Sequence, residues 1–304
     1  MYASLRALLH KVIDYAGLFP PAKLPLAQSI HNYLRYLGDP DRWILGRFVC
    51  PVERLEELAG IVQSMGPSGP PVEVSALGAA RSADAFAAGF ALEVGTFQEI
   101  SWFLNRVLTA PAYEVRLPSE LAHTANISIV DGKALCSIHF EANLDSEARS
   151  WLPRLLAALR EATGGRYGFK LRCGGLEAAA FPTSEQVAFI IVACRDAGIP
   201  LKFTAGLHHP IRHFDESIQV RMHGFINVFA AGALAHVRRL NEEQVQAIID
   251  DDDARHFVFS DAAFRWKDWQ ATTSEIEAAR RMLVSFGSCS FDEPREDLRR
   301  LGWL

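Results

Sequence analysis

Several signatures are missing from this sequence, and each absence removes a class of function. The five cysteines, Cys50, Cys136, Cys173, Cys194 and Cys289, contain no CxxC pair. An odd, scattered set of thiols indicates neither a disulfide framework nor a zinc ribbon. No run of Lys and Arg occurs and the formal net charge is −5, so nucleic acid is not an expected partner. No apolar window reaches the roughly 18 residues that a membrane span requires, and no membrane partner is expected either. The glycine patterns that cradle nucleotide phosphates, GxGxxG and GxxxxGKS/T, are absent; no cofactor is expected. The metal-ligand spacings HxH and HExxH are also absent, and no metal set is assigned. Residues 1–19 lack the uninterrupted apolar stretch of a signal peptide. Leu5, Leu8, Leu9, Val12 and Ile13 fall at helical spacing, with Arg6, Lys11 and Asp14 among them. The reading is an amphipathic N-terminal helix and a cytoplasmic protein.

What is present is a repeat of short apolar strands alternating with helical stretches. Strands are predicted over 43–50, 72–77, 91–95, 112–117, 134–143, 167–172, 200–205 and 224–229. Helical patterns occupy 97–108, 146–163, 184–197 and 231–240. Such alternation implies βαβ units and a parallel sheet. Eight strands in 304 residues suit a closed (β/α)8 barrel, which needs ~250 residues. One domain spanning 1–304 is expected, with an additional N-terminal helix and a C-terminal extension. Asp131-Gly132 would suit a hairpin turn between 126–130 and 134–143, and 256–260 also reads as a strand. A doubly wound open sheet is the structural alternative. Residues 14–22, rich in Gly and Pro, and 285–304 lie outside the repeat, and 66–71 is a loop.

Alternate residues of a strand share a face, and a purely structural parallel strand should be apolar on both. Several strands here break that rule at alternate positions. Glu114 pairs with Arg116 on one face, His139 with Glu141 and Asn143, Lys170 with Arg172, and Lys202 with Thr204. Glu93 before Gly95, and Asn227 on the last predicted strand, extend the set. Burying isolated charges costs about as much as a domain's net stability, so packing alone does not explain so many. Barrel active sites sit at the C-terminal strand ends, and these residues are candidates for one.

The densest segment is Lys202-Phe-Thr-Ala-Gly-Leu-His-His-Pro210. Its strand delivers Lys202 and Thr204, Gly206 allows a sharp exit, and His208 and His209 follow as candidate acids or bases. On an extended chain the two histidines point apart, so one of them is expected to face the site; His213 and His223 follow. Lys170-Leu-Arg172-Cys-Gly174-Gly175 is the second dense segment. Its glycines let backbone N–H groups approach an anion, and Arg172 can grip a carboxylate or phosphate with two bonds. Thr183 or Ser184 can cap the following helix, whose N-terminus also favours an anion.

Lys170 and Lys202 lie about one βα repeat apart, so their ammonium groups would crowd one another at the ~4.8 Å spacing of parallel strands. Crowding and desolvation lower a lysine pKa and make the amine nucleophilic. In this respect residues 167–206 resemble the class I (Schiff-base) aldolases of deoxyribose-phosphate type, which carry lysines on consecutive late barrel strands. The resemblance implies a Schiff-base lysine at Lys170 or Lys202, and spacing does not choose between them. Neither loop follows that family closely, and the His208-His209 pair is foreign to it. The segments at 14–21, 170–175, 204–210, 223–227 and 286–291 together resemble a family of bacterial proteins to which no activity is attached.

The leading expectation is an enzyme, a lyase of aldolase type, acting on a small anionic metabolite. Lys202 or Lys170 would be the nucleophile, with Glu141, His208 and His209 moving protons. Arg172, Gly174, Gly175, Thr204, Arg116 and Asn227 would bind substrate. A metal-dependent hydrolase, isomerase or lyase using some of His139, Glu141, His208, His209 and His223 is the first alternative, and a non-catalytic barrel is the second. The sequence is compatible with a homo-oligomer.

Overall fold

The computed structural model describes residues 1–66, 71–126, 136–162 and 166–304. Eight parallel strands close into a barrel: β1 Ile13–Tyr15, β2 Leu45–Pro51, β3 Val72–Leu77, β4 Leu108–Arg116, β5 Ser137–Glu141, β6 Arg166–Arg172, β7 Leu201–Thr204 and β8 Leu283–Ser288. Each strand pairs with its neighbours in sequence, and β8 closes the ring on β1. Helices follow the strands on the outside, so the chain is a (β/α)8 barrel. The 148–161 helix shows why. Trp151, Leu152, Leu155, Leu156 and Leu159 recur at three- and four-residue steps and are all buried, giving one apolar stripe to the sheet. The helix Ser184–Ala197 starts at a capping box between Thr183 and Gln186 and stops at Gly198 in the left-handed region.

Two predicted strands are helical. Residues 91–95 lie inside the helix Ala83–Phe103, whose buried Phe86, Phe90, Val94 and Phe97 follow helical spacing. Glu93 is therefore outside the barrel, bonded by Arg81 and by the hydroxyl of Tyr113. Residues 224–229 begin the helix Phe225–Arg238, where Phe225 to Ala235 are buried without a break. A continuous apolar run reads alike for a buried strand and a buried helix. The helical pattern at 97–108 ends earlier, because Leu108 already starts β4.

The two remaining strands lie at the end of the N-terminal helical pattern and at the start of the 285–304 segment. The N-terminal helix stops at Leu9, and Lys11, with φ of 49°, turns the chain so that Val12 and Ile13 run into the barrel. The other is β8, which overlaps the start of the expected C-terminal extension; the helix Asp292–Arg300 follows it. Between β7 and β8 the chain adds the hairpin His213–Asp215/Val220–Met222 and an antiparallel sheet of Phe257–Phe259, Ala263–Trp266 and Trp269–Thr272. The alternative hairpin at Asp131-Gly132 lies outside the described residues. Among the described residues, no helix is long and apolar enough to cross a membrane.

Candidate active site

The register of the strands sets a charged layer inside the barrel. Glu141 is level with Lys170, and Lys170 with Lys202. Arg116, two residues beyond Glu114, is level with Glu141 on β5, and Arg172, two beyond Lys170, is level with Thr204. Asp14 enters from β1, Glu114 from β4, Ser75 from β3 and Ser285 from β8. Asp14, Glu114, Lys202 and Lys170 are 0, 1, 1 and 5% exposed. Charges this deep persist only when each is paired.

Each is paired. Lys170 Nζ lies 2.7 Å from Glu114 Oε2 and 2.8 Å from Glu141 Oε2. Lys202 Nζ lies 2.7 Å from Glu114 Oε1 and bonds the Asp14 carboxylate. Glu114 thus spends one oxygen on each lysine. It also accepts a bond from the Ser75 hydroxyl, while Ser285 and the Arg47 backbone N–H donate to Asp14 at 2.7 Å. Gly46 makes room for Asp14, since a Cβ there would lie 2.3 Å from Asp14 Oδ1.

The expected lowering of the Lys170 pKa does not occur, because Glu114 bridges the two ammonium groups. The sign of the electrostatic shift reverses accordingly. Burial pulls the Lys170 pKa down, but the carboxylates of Glu114 and Glu141 outweigh it and push the value above the ordinary lysine range. Burial pushes Glu114 and Asp14 up, and their cationic neighbours more than offset it. Lys170 and Lys202 hold Glu114 well below the carboxylate range, and Lys202 and Arg47 lower Asp14. His139 is buried as well. Burial, then the Lys202 charge, lowers its pKa to about 3, so its ring is neutral, and Nδ1 is buried without a hydrogen-bond partner among the described residues.

Above the charged layer a cavity of about 420 Å³ opens at the C-terminal strand ends, where barrel active sites sit. Its floor includes Glu114, Glu141 and Lys170, but not Lys202. Arg116, Arg172, Thr204, Gly175 and His208 form the polar wall, and Phe19, Pro20, Pro21, Val49, Leu77 and Leu176 the apolar one. The loops after β6 and β7 touch: Gly206 has φ of 70°, and a Cβ on it would lie 2.6 Å from the Cys173 carbonyl oxygen. A Cβ on Gly174 would meet the Cα of Gly206 at 2.7 Å. Gly174 therefore serves loop packing, and Gly175 borders the cavity.

The histidine pair divides. His208 lines the cavity with Nδ1 held 3.0 Å from Glu293. His209 is bonded by Asp297 and packs edge-on against His213. Asn227 does not join the site. It sits on a helix and is fully used, accepting from the Arg212 N–H and donating to the carbonyls of Ile248 and Asp251. His223 bonds the Pro182 carbonyl oxygen, and Asn143 accepts from Arg116 at 2.6 Å. The helix N-terminus at Thr183 does not line this cavity.

Asp14, Ser75 and Ser285 were missed by sequence reasoning. β1 is three residues long, too short to show a period, and Asp14 follows a helical pattern. Among the described residues, no group of three or more His, Cys, Asp and Glu side chains is arranged to hold a metal ion. Comparison of the chain with family models, curated proteins and solved structures returned no match, so the chemistry of the site is argued from its geometry.

Proposed function

We propose that the protein is an enzyme that forms a Schiff base through Lys170 and makes or breaks a carbon–carbon bond in a small carbonyl compound carrying a carboxylate or phosphate. The observation that carries this reading is the position of Lys170. Its ammonium is on the cavity floor between two carboxylates, whereas Lys202 is sealed below it.

Lys170 starts protonated, so the first step is transfer of a proton to Glu141, 2.8 Å away. Substrate entry expels water and thereby favours the neutral amine–acid pair over the ionised one. The free amine attacks the carbonyl carbon, and one of its protons passes to the new alkoxide to give the carbinolamine. Glu141 returns the proton to the carbinolamine hydroxyl, which leaves as water and gives an iminium. The nitrogen is then cationic again, beside the same two carboxylates, and a site already built to hold a cation there stabilises it without reorganising. In the cleavage direction the carbon–carbon bond breaks toward the iminium to give an enamine, while a base removes the proton of the departing hydroxyl. His208 is the candidate base, with Nδ1 fixed by Glu293. Protonation of the enamine carbon and hydrolysis of the iminium free the lysine. Arg172 and Arg116 line the wall with guanidinium groups suited to the anionic end.

Borohydride trapping with pyruvate and with dihydroxyacetone phosphate, followed by peptide mass mapping, tests the reading. A reduced adduct on the Lys170 peptide, absent from Lys170→Met, is expected. No adduct with either compound, or one at Lys202, would overturn it.

A further inference from the structure

The barrel has a second cavity, at the opposite mouth. About 570 Å³ of space opens at the N-terminal strand ends, a face that in this fold ordinarily serves packing. Its lining is strongly basic: Arg6, Lys11, Arg47, Arg280 and Arg281 converge on it. Of the acids present, Asp14 is engaged by Lys202 and Glu73 by Lys11, which leaves exposed Glu277.

Three of these cations have unspent capacity. Among the described residues, no acid forms an ion pair with Arg6 or Arg281. Arg47 only approaches Asp14, at 3.9 Å, and its Nε is buried with no hydrogen-bond partner. An orphaned buried N–H is uncommon and calls for an acceptor. Arg280 differs, because its guanidinium is spent on the backbone carbonyls of Leu8, His10 and Val284. It adds charge to the cavity and fixes the wall.

We propose that this N-terminal mouth is a binding site for a small multivalent oxyanion, held chiefly by Arg47 and Arg281 with Arg6 beside them. Guanidinium groups match the oxygens of phosphate and polycarboxylate in two-bond geometry, and a cavity desolvates the contact. The site touches the charged layer through Asp14, which lines this cavity and also bonds Lys202. An anion that draws on Arg47 weakens its pull on Asp14, and the change reaches Lys202 and Glu114 through consecutive contacts. The proposal does not depend on the chemistry assigned to Lys170.

Calorimetric titration with inorganic pyrophosphate tests it on the full chain. Arg172→Ala removes the guanidinium at the other mouth, and saturable binding should survive that change. Arg281→Ala alters an exposed side chain and should keep the fold; it should weaken binding by about tenfold, as should Arg47→Met. The proposal fails if pyrophosphate shows no saturable binding, if binding disappears in Arg172→Ala, or if it is unchanged in both Arg281→Ala and Arg47→Met.

Discussion

Asp14 and Lys202, 188 residues apart along the chain, form an ion pair with both side chains sealed from solvent. The pair is one end of a chain of contacts, Asp14–Lys202–Glu114–Lys170–Glu141, that crosses the barrel from β1 to β5 and surfaces in the C-terminal cavity. Four predictions test this chain of contacts and the barrel interior around it.

Glu114 serves two lysines, so its loss leaves both short of a partner. Glu114→Gln keeps the shape and removes the charge. It should cost about 3–5 kcal/mol of stability, the usual range for breaking a buried pair. Urea denaturation followed by circular dichroism measures it, and a loss below about 1 kcal/mol would show that the network is dispensable.

The carboxylates and the lysine should set opposite limits on stability with pH. Asp14 and Glu114 have depressed pKa values in the folded chain. Their stabilisation is complete above the unfolded carboxylate range, near pH 4, and is lost as pH falls through the folded values. Lys170 is raised; its contribution is complete below its unfolded pKa of about 10.4 and is lost at more alkaline pH. Denaturation midpoints should fall at both extremes, with the acid arm reduced in Asp14→Asn.

His139 acts in a different window. Its pKa is lowered to about 3, so the unfolded chain binds a proton that the folded chain refuses. Folding stability should therefore drop as pH falls from about 6.5 toward 3, by about 1.4 kcal/mol per pH unit for each such proton. His139→Gln should reduce the slope by one proton, leaving the share of other histidines such as half-buried His236, lowered to about 4 by burial and by Arg195. An unchanged slope would mean that the imidazole is charged in the barrel.

Gly206→Ala tests the contact between the loops after β6 and β7. The new Cβ would sit 2.6 Å from a backbone oxygen at φ of 70°, which combines a clash with a left-handed non-glycine residue. A loss of about 1–3 kcal/mol is expected. Binding of an anionic carbonyl compound should weaken as well, because Gly206 and Arg172 border one cavity. The unaltered affinity of a variant that still folds would separate the loop from the site.

Much of this centre was legible because charge stands out in apolar strands. Lys170, Glu141, Glu114 and Lys202 occupy alternate positions of β4 to β7, where a structural strand would carry Val or Leu. What sequence hid was the closing pair of strands, β1 and β8. Ser285 and Gly287 give β8 a small, polar inner face, so it lacks the apolar signature of a strand. The opposite error arose at Phe225–Arg238, where burial on all sides erased the helical period. Spacing also gave the proximity of the two lysines without the residue between them. That reversed the expected effect on Lys170, since parity reports which way a side chain points and not which carboxylate meets it.

The closing of β8 on β1 also imposes an order of events during synthesis. Asp14 emerges from the ribosome 188 residues ahead of its lysine partner, and the Ser285 hydroxyl follows later still. Until Leu283–Ser288 arrives, β1 and β7 are free edges and Asp14 lacks one of its donors. Completion of the charged centre is thus tied to the arrival of β8, and a nascent chain stopped before Leu283 carries an open sheet with unpaired edges.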